Sequence, residues 1–157
     1  MATYERTTRV DAPFESVWEF HSTVDGLVRL TPGFLNIRIE ALRGPDGEPD
    51  PAVLVEGSEV HASVRPFGVG PRQEWRSRIV ERHREGDRAW FRDEMVDGPF
   101  RQWVHTHEFV GVGGATLASD SVEYDLPRPL GPLAPLARLG LAPAFRYRHR
   151  RTRELLE

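Results

Sequence analysis

The chain has 157 residues, 39% of them hydrophobic, with 21 basic against 24 acidic side chains and a formal charge of -3. That length suits one domain over 1–157, with enough chain to bury roughly 68–70% of its unfolded surface. The near balance of charge excludes a nucleic-acid binder driven by bulk positive charge, and zero cysteine excludes disulfides, thiol catalysis and cysteine-held metal. No apolar run reaches the roughly 18 residues of a membrane span, and the polar opening Met1 to Arg9 does not read as a signal peptide. The expectation is a soluble, cytoplasmic protein. Every basic residue is arginine, which fits a GC-rich genome, with salt adaptation as the alternative.

In chain order, 3–10 reads as a strand, and Asp11 and Pro13 open a helix over 13–21 with Asp11 as N-cap. Phe14, Val17, Trp18 and Phe20 give that helix an apolar face. A second short helix is expected over 23–30, stopped by Thr31, Pro32 and Gly33. The texture then turns to strands at 35–42, 52–65, 71–83, 88–96, 100–110 and 115–125, separated by breaks rich in Gly, Pro or Asp. Gly111 to Gly114 links two strands, so it reads as a hairpin turn; a phosphate loop would precede a helix. Pro127 to Pro135 is expected to be irregular, and a final helix over 143–157 carries Pro143 in its first turn. Phe145, His149, Thr152 and Leu156 fall on one face of it. The fold class is therefore α+β. Hairpin-linked strands form a seven-stranded antiparallel sheet, and the terminal helix is the largest element available to cover it. A curved sheet over a helix leaves room for a ligand.

Trp103, His105, His107 and Phe109 alternate along one strand and so share a face, expected to point inward; Gln102, Val104, Thr106 and Glu108 take the other. Phe91, Asp93 and Met95 share a face of a neighbouring strand, as do Thr116, Asp120 and Tyr124 of another. A lone buried carboxylate costs several kcal/mol, so Asp93 and Asp120 call for partners among His105, His107, Arg76 and Arg78. An Asp–His pair is also the least equipment for general acid–base catalysis. Structural, ligand-orienting and catalytic roles all remain open for it. Metal ligation by His-x-His with Asp93 or Asp120 has no supporting motif, so no metal is assigned. His61 and His83 are expected at the surface, His21 as a cap at a helix C-terminus, and His149 within reach of the interior. The basic run from Arg146 to Arg153 reads as a solvated face, with anionic lipid contact as the alternative.

A wider pattern spans 91–127. Phe91, Asp93 and Glu94 are followed by Gly98, Pro99 and Phe100, then by Trp103, His105, His107 and Phe109, and finally by Gly114, Thr116, Asp120, Tyr124 and Pro127. This resembles the START/birch-pollen-allergen superfamily, also called SRPBCC or polyketide cyclase/dehydrase, and within it a branch known as cell-division-inhibitor-like. Ala12-Pro13, Val17-Trp18 and the terminal Phe145, Tyr147, Arg148 and His149 fit it too. Ala115 between Gly114 and Thr116 is a departure, since relatives more often have Gly and Thr adjacent. The resemblance implies a helix-grip fold and a hydrophobic small-molecule ligand: a lipid, isoprenoid or polyketide-like compound. Its cavity would be lined by Phe91, Met95, Trp103, His105, His107, Phe109, Tyr124 and His149, with no cofactor. One alternative is a cyclase/dehydrase-like enzyme moving protons with Asp93, His105, His107, Asp120 and Tyr124. Another is a membrane-peripheral accessory protein using the Arg-rich helix. Oligomeric state is left open.

Overall fold

Period-two burial along the strands and period-3.6 burial along the helices set the architecture, seen in a computed structural model that describes residues 1–157. Strand β1 (Ala2–Val10) leads into helices α1 (Phe14–His21) and α2 (Val24–Leu30). Six strands follow: β2 (Arg38–Arg43), β3 (Glu59–Val64), β4 (Gln73–Glu85), β5 (Arg88–Asp97), β6 (Gln102–Val112) and β7 (Ala115–Asp125). A 3-10 segment (Gly131–Ala137) then runs into α3 (Arg138–Leu156). All neighbours in the sheet are antiparallel, in the order β1-β7-β6-β5-β4-β3-β2. The two short helices carry the chain from one sheet edge to the other, and α3 crosses the sheet beside β1 and α2. This is the expected α+β helix-grip arrangement of seven strands and a long terminal helix.

Curvature has a visible cause. Register shifts interrupt β4 between Arg76 and Ser77 and again between Ile79 and Glu81, and β2 between Ile39 and Ala41. An extra residue in one strand bends it and increases its twist. At the β5–β6 turn, a Cβ on Gly98 would lie 2.9 Å from Trp75 Cβ and 2.5 Å from Met95 Sδ, so only glycine lets the two strands close there. No helix is long and apolar enough to cross a membrane.

Several boundaries differ from the sequence reading. The expected strand 52–65 shrinks to 59–64, because its apolar first half is tied elsewhere: Leu54 N–H donates to Ser22 O and Gly57 N–H to Ile79 O. The first helix is capped by Pro13 without a side-chain bond; Asp11 instead accepts from Arg9, while its own N–H donates to Glu157. The last helix starts at Arg138, five residues before the expected start, which leaves Pro143 inside it. Pro143 cannot donate to the carbonyl of Leu139, and that turn lies in water, where Leu139 is 80% exposed.

The main core joins α1 to the sheet through Val17, Trp18, Phe91, Phe109, Val10 and Ala118. Phe109 is its anchor: 2% exposed, with Trp18 edge-on at 5.8 Å and the His21 ring at 4.6 Å. A second cluster of Tyr4, Val122, Tyr124, Ala134 and Phe145 fixes α3 against the other end of the sheet. Phe109→Ala should therefore destabilise the protein by about 3–5 kcal/mol, read from urea unfolding midpoints at pH 7. A loss below ~1 kcal/mol would place Phe109 outside the core.

Candidate functional site

Between the sheet, α2 and α3 lies a cavity of about 440 Å³. Its walls come from Leu27 and Leu30 of α2, Val60 and Val64 of β3, and Trp75, Ser77 and Ile79 of β4. Phe91, Asp93 and Met95 of β5 and Trp103, His105 and His107 of β6 continue the wall, with Pro99 and Phe100 from the turn between them. The terminal helix adds Leu141, Ala144, Phe145 and Arg148, at helical offsets of three, four and seven from Leu141.

Cross-strand pairing explains how the polar wall assembles. Asp93 sits opposite His105, Phe91 opposite His107, and His107 opposite Asp120. The register thus places both histidines between two carboxylates. His105 Nε2 donates to Asp120 Oδ1 at 2.7 Å, and His107 Nε2 to Asp93 Oδ2 at 2.9 Å. From α3, His149 Nε2 reaches Asp120 Oδ2 at 2.5 Å. His107 Nδ1 lies 3.3 Å from Asp120 Oδ1, in charge contact but without hydrogen-bond alignment. The two β6 rings lie 3.6 Å apart between centroids, and Phe91 stacks on His107 at 4.1 Å.

Burial and charge pull these groups in different directions. For Asp120, desolvation raises the carboxyl pKa, but the bonds from His105 and His149 and the close contact with His107 outweigh it and hold it well below the usual range. Asp93 is lowered for the same kind of reason, through His107, His105 and Arg148. Burial lowers His105, helped by the charge of His107 and only partly offset by Asp120. His107 goes the other way: Asp120 and Asp93 together overcome its burial and raise it. Within the cluster a proton is therefore held more readily by His107, beside both carboxylates, than by its neighbour His105, which is pushed toward the neutral imidazole. With Nε2–H given to Asp120, the lone pair of neutral His105 sits on Nδ1, which has no protein partner and is not sealed from solvent. That nitrogen can accept a proton or a hydrogen bond from a molecule in the cavity.

Asp93, His105 and His107 also bring metal-ligand atoms within 4.8 Å of one another. The Nε2 atoms of both rings are engaged by carboxylates, and Asp93 itself accepts from His107. This donor set suits a hydrogen-bonded cluster better than convergence on one cation.

Of the residues read from the sequence, Phe91, Asp93, Met95, Trp103, His105 and His107 line the cavity. Four do not. Phe109 is packed under α1, Tyr124 is buried among Tyr4, Val122 and Phe145, Asp120 is buried against His105 and His149, and His149 stands behind Asp120, outside the cavity wall. Arg76 and Arg78 are exposed on the outer sheet face, with Arg78 bound to Glu59, so histidines rather than arginines partner the carboxylates. His21 is no charged helix cap: burial and the nearby Arg148 lower its pKa to about 3, and its Nδ1–H donates to Val17 O. His61 is half-buried near Glu74, and His83 is exposed near Glu85. In the basic run, Arg150 and Arg151 pair with Glu154, while Arg148 turns to the cavity. The spacing of Leu141, Phe145 and Arg148 is the sequence signal that could have marked Arg148.

A family profile described as polyketide cyclase / dehydrase and lipid transport matches residues 10–147. No curated protein matches the sequence. Solved structures similar to this chain include a START superfamily protein from Mycobacterium smegmatis, 17% identical, with a TM-score of 0.65 and 98% of each chain covered. A norcoclaurine synthase point mutant from Thalictrum flavum, bound to a transition-state analogue, is 19% identical with a TM-score of 0.68, covering 99% of this chain and 93% of that one. A nucleoside-diphosphate sugar epimerase from Corynebacterium glutamicum is 23% identical with a TM-score of 0.61, covering 96% of this chain but 28% of its own. At these identities the likeness is one of fold.

The shifts fix how stability changes with pH. His21 binds a proton in the unfolded chain below about pH 6.5 but in the folded one only near 3. Its contribution is full above pH 6.5 and is lost as pH falls toward 3, by up to about 1.4 kcal/mol per pH unit. Asp120, with a lowered folded pKa, adds a loss of the same sign at lower pH. His107, raised, contributes below pH 6.5 and loses its contribution as pH rises through its folded value. Between pH 6 and 4, His21→Phe should flatten the decline in unfolding free energy measured in urea. An unchanged slope would mean that His21 titrates normally in the folded protein.

Proposed function

Since the chain belongs to the polyketide cyclase/dehydrase and lipid transport family, we propose that it binds one hydrophobic small molecule between the sheet and α3. The supporting observation is the cavity itself: about 440 Å³, with 15 of its 27 lining residues hydrophobic and its polar groups gathered around Asp93, His105 and His107. Ligand sites are commonly of this size and make-up, apolar walls supplying affinity and a few placed polar groups setting orientation. A lipid, isoprenoid or polyketide-like ring compound meets that description. Leu27 and Leu141 lie on facing helices at the edge of the core and are only half-buried, so a larger side chain there extends into the cavity.

A second reading rests on His105. A neutral imidazole, oriented by a carboxylate through one nitrogen and open at the other, is the arrangement of a general base. A ligand with an acidic C–H or hydroxyl against His105 Nδ1 would then be turned over by proton transfer, as in a cyclase or dehydratase, with Asp120 and the His107–Asp93 pair setting the proton balance.

The neutral probe N-phenyl-1-naphthylamine tests the binding reading. Its fluorescence should rise on titration with the protein, and Leu27→Trp or Leu141→Trp should weaken binding at least tenfold while the far-UV circular dichroism stays unchanged. Equal binding by both variants would remove the probe from this cavity. For any substrate that is turned over, His105→Gln should cut kcat by about 10²–10⁴-fold, and a rate unchanged by that substitution would end the catalytic reading.

A further inference from the structure

His107 and Arg148, the two cavity-lining side chains that can carry positive charge to the wall beside Asp93, differ in one respect. His107 is enclosed by two carboxylates. Arg148 is not enclosed. It is partly buried, it lines the cavity, and no carboxylate comes within ion-pair distance of its guanidinium, although Arg150 and Arg151 on the same helix both reach Glu154. Asp93, the carboxylate on the same cavity wall, already accepts from His107 at 2.9 Å. Arg148 shares the cavity lining with Asp93 and His21, and its charge lowers the pKa of both.

A guanidinium taken partly out of water carries a desolvation cost that proteins ordinarily offset with a carboxylate or phosphate partner. Its planar fork matches a carboxylate through two parallel hydrogen bonds. Around Arg148 the protein supplies the cation and leaves the anion position to the cavity. We propose that the ligand is an apolar molecule ending in a carboxylate, with its tail among the apolar walls and its head group on Arg148. This deepens the binding role proposed above and rests on it.

Neighbouring charge narrows the head group further. Asp93 stands on the same cavity wall as Arg148. A carboxylate matches the fork with a single charge, whereas a dianionic phosphate, drawn twice as strongly to Arg148, would also meet twice the repulsion from Asp93 at equal distance. His21 and His105 are both held toward the neutral form, and His107 already faces Asp93 and Asp120, so the charge open to the head group is that of Arg148.

Dodecanoic acid, 1-dodecanol and dodecyl phosphate test this at pH 8, by displacement of N-phenyl-1-naphthylamine from wild type, Arg148→Met and Arg148→Lys. In wild type the acid should bind at least tenfold tighter than the alcohol and tighter than the phosphate. Arg148→Met should bring acid and alcohol to within about twofold, leaving the alcohol unaffected, and Arg148→Lys should fall between, having charge but no fork. Equal wild-type affinity for acid and alcohol, or no effect of Arg148→Met on the acid, would overturn the carboxylate assignment and leave the apolar cavity reading intact. Tighter binding of the phosphate would overturn it as well. Failure of the alcohol and of the probe itself to bind would sink the binding role, and this proposal with it. Melting temperatures of the two variants, expected within a few degrees of wild type, keep a folding defect from passing as a binding effect.

Discussion

The carboxylate of Asp120 sits among strands β6 and β7 and helix α3, 6% exposed, and accepts from two histidines while a third lies in charge contact. An ionised carboxylate at that depth is stable only while its donors stay in place, because removing one partner of a buried charge typically costs several kcal/mol. The constraint acts on tertiary structure directly. Pairing of His107 opposite Asp120 depends on the β6–β7 register, and a slip by one residue would send every side chain to the other face. His149 depends on the rotation of α3 about its axis. One buried charge thereby reports on two separate assembly steps, and both must be correct for it to be satisfied.

The same arrangement divides the interior into two chemistries. On the α1 side, Trp18, Phe91 and Phe109 fill the space, and the His21 ring is buried as a neutral aromatic against Phe109. Toward α2 and α3 the side chains stop short of one another and the cavity opens. Phe91 belongs to both regions: it packs on Trp18 and also stacks on His107, so the polar cluster is braced by the core and cannot drift into the cavity. Polar groups fixed in this way need little reorganisation to meet a ligand, which is the physical basis of preorganised binding and of preorganised catalysis alike.

Much of this was legible in the sequence. Alternation at Trp103, His105, His107 and Phe109 placed the β6 side chains on the inner face, and the four-residue stripe of Phe145, His149, Thr152 and Leu156 marked the buried side of α3. Which inner-facing residue reaches the cavity could not be read from alternation, since Phe109 and Trp103 share a face and differ in what stands above them: α1 covers the first, while the second, flanked by Phe100, borders the cavity. The segment 52–58 misled for a different reason. Ala52, Val53, Leu54 and Val55 have strand composition, yet the Leu54 N–H is claimed by the end of α1 and the following Gly57 and Ser58 by β4, and a tertiary bond overrides local propensity. His21 shows the same effect on chemistry. Its place at the end of a helix suggested a favourable charge, but burial against Phe109 removes the water that a charge requires.

Helix α3 carries two stripes, and the offset between them connects stability to ligand chemistry. Phe145, His149 and Thr152 point into the protein, while Leu141, Ala144, Phe145 and Arg148 form the cavity wall, with Phe145 shared. Neighbouring positions 148 and 149 lie about 100° apart around the helix axis, so the anchoring of His149 on Asp120 also sets the direction of Arg148. Rotating the helix to move Arg148 would withdraw His149 from a buried carboxylate, an expensive change. The cavity-facing cation is therefore positioned by a hydrogen-bonded pair that does not itself line the cavity. Residues with purely structural contacts, such as Thr152 and Tyr124, contribute to the ligand site only by holding that rotation.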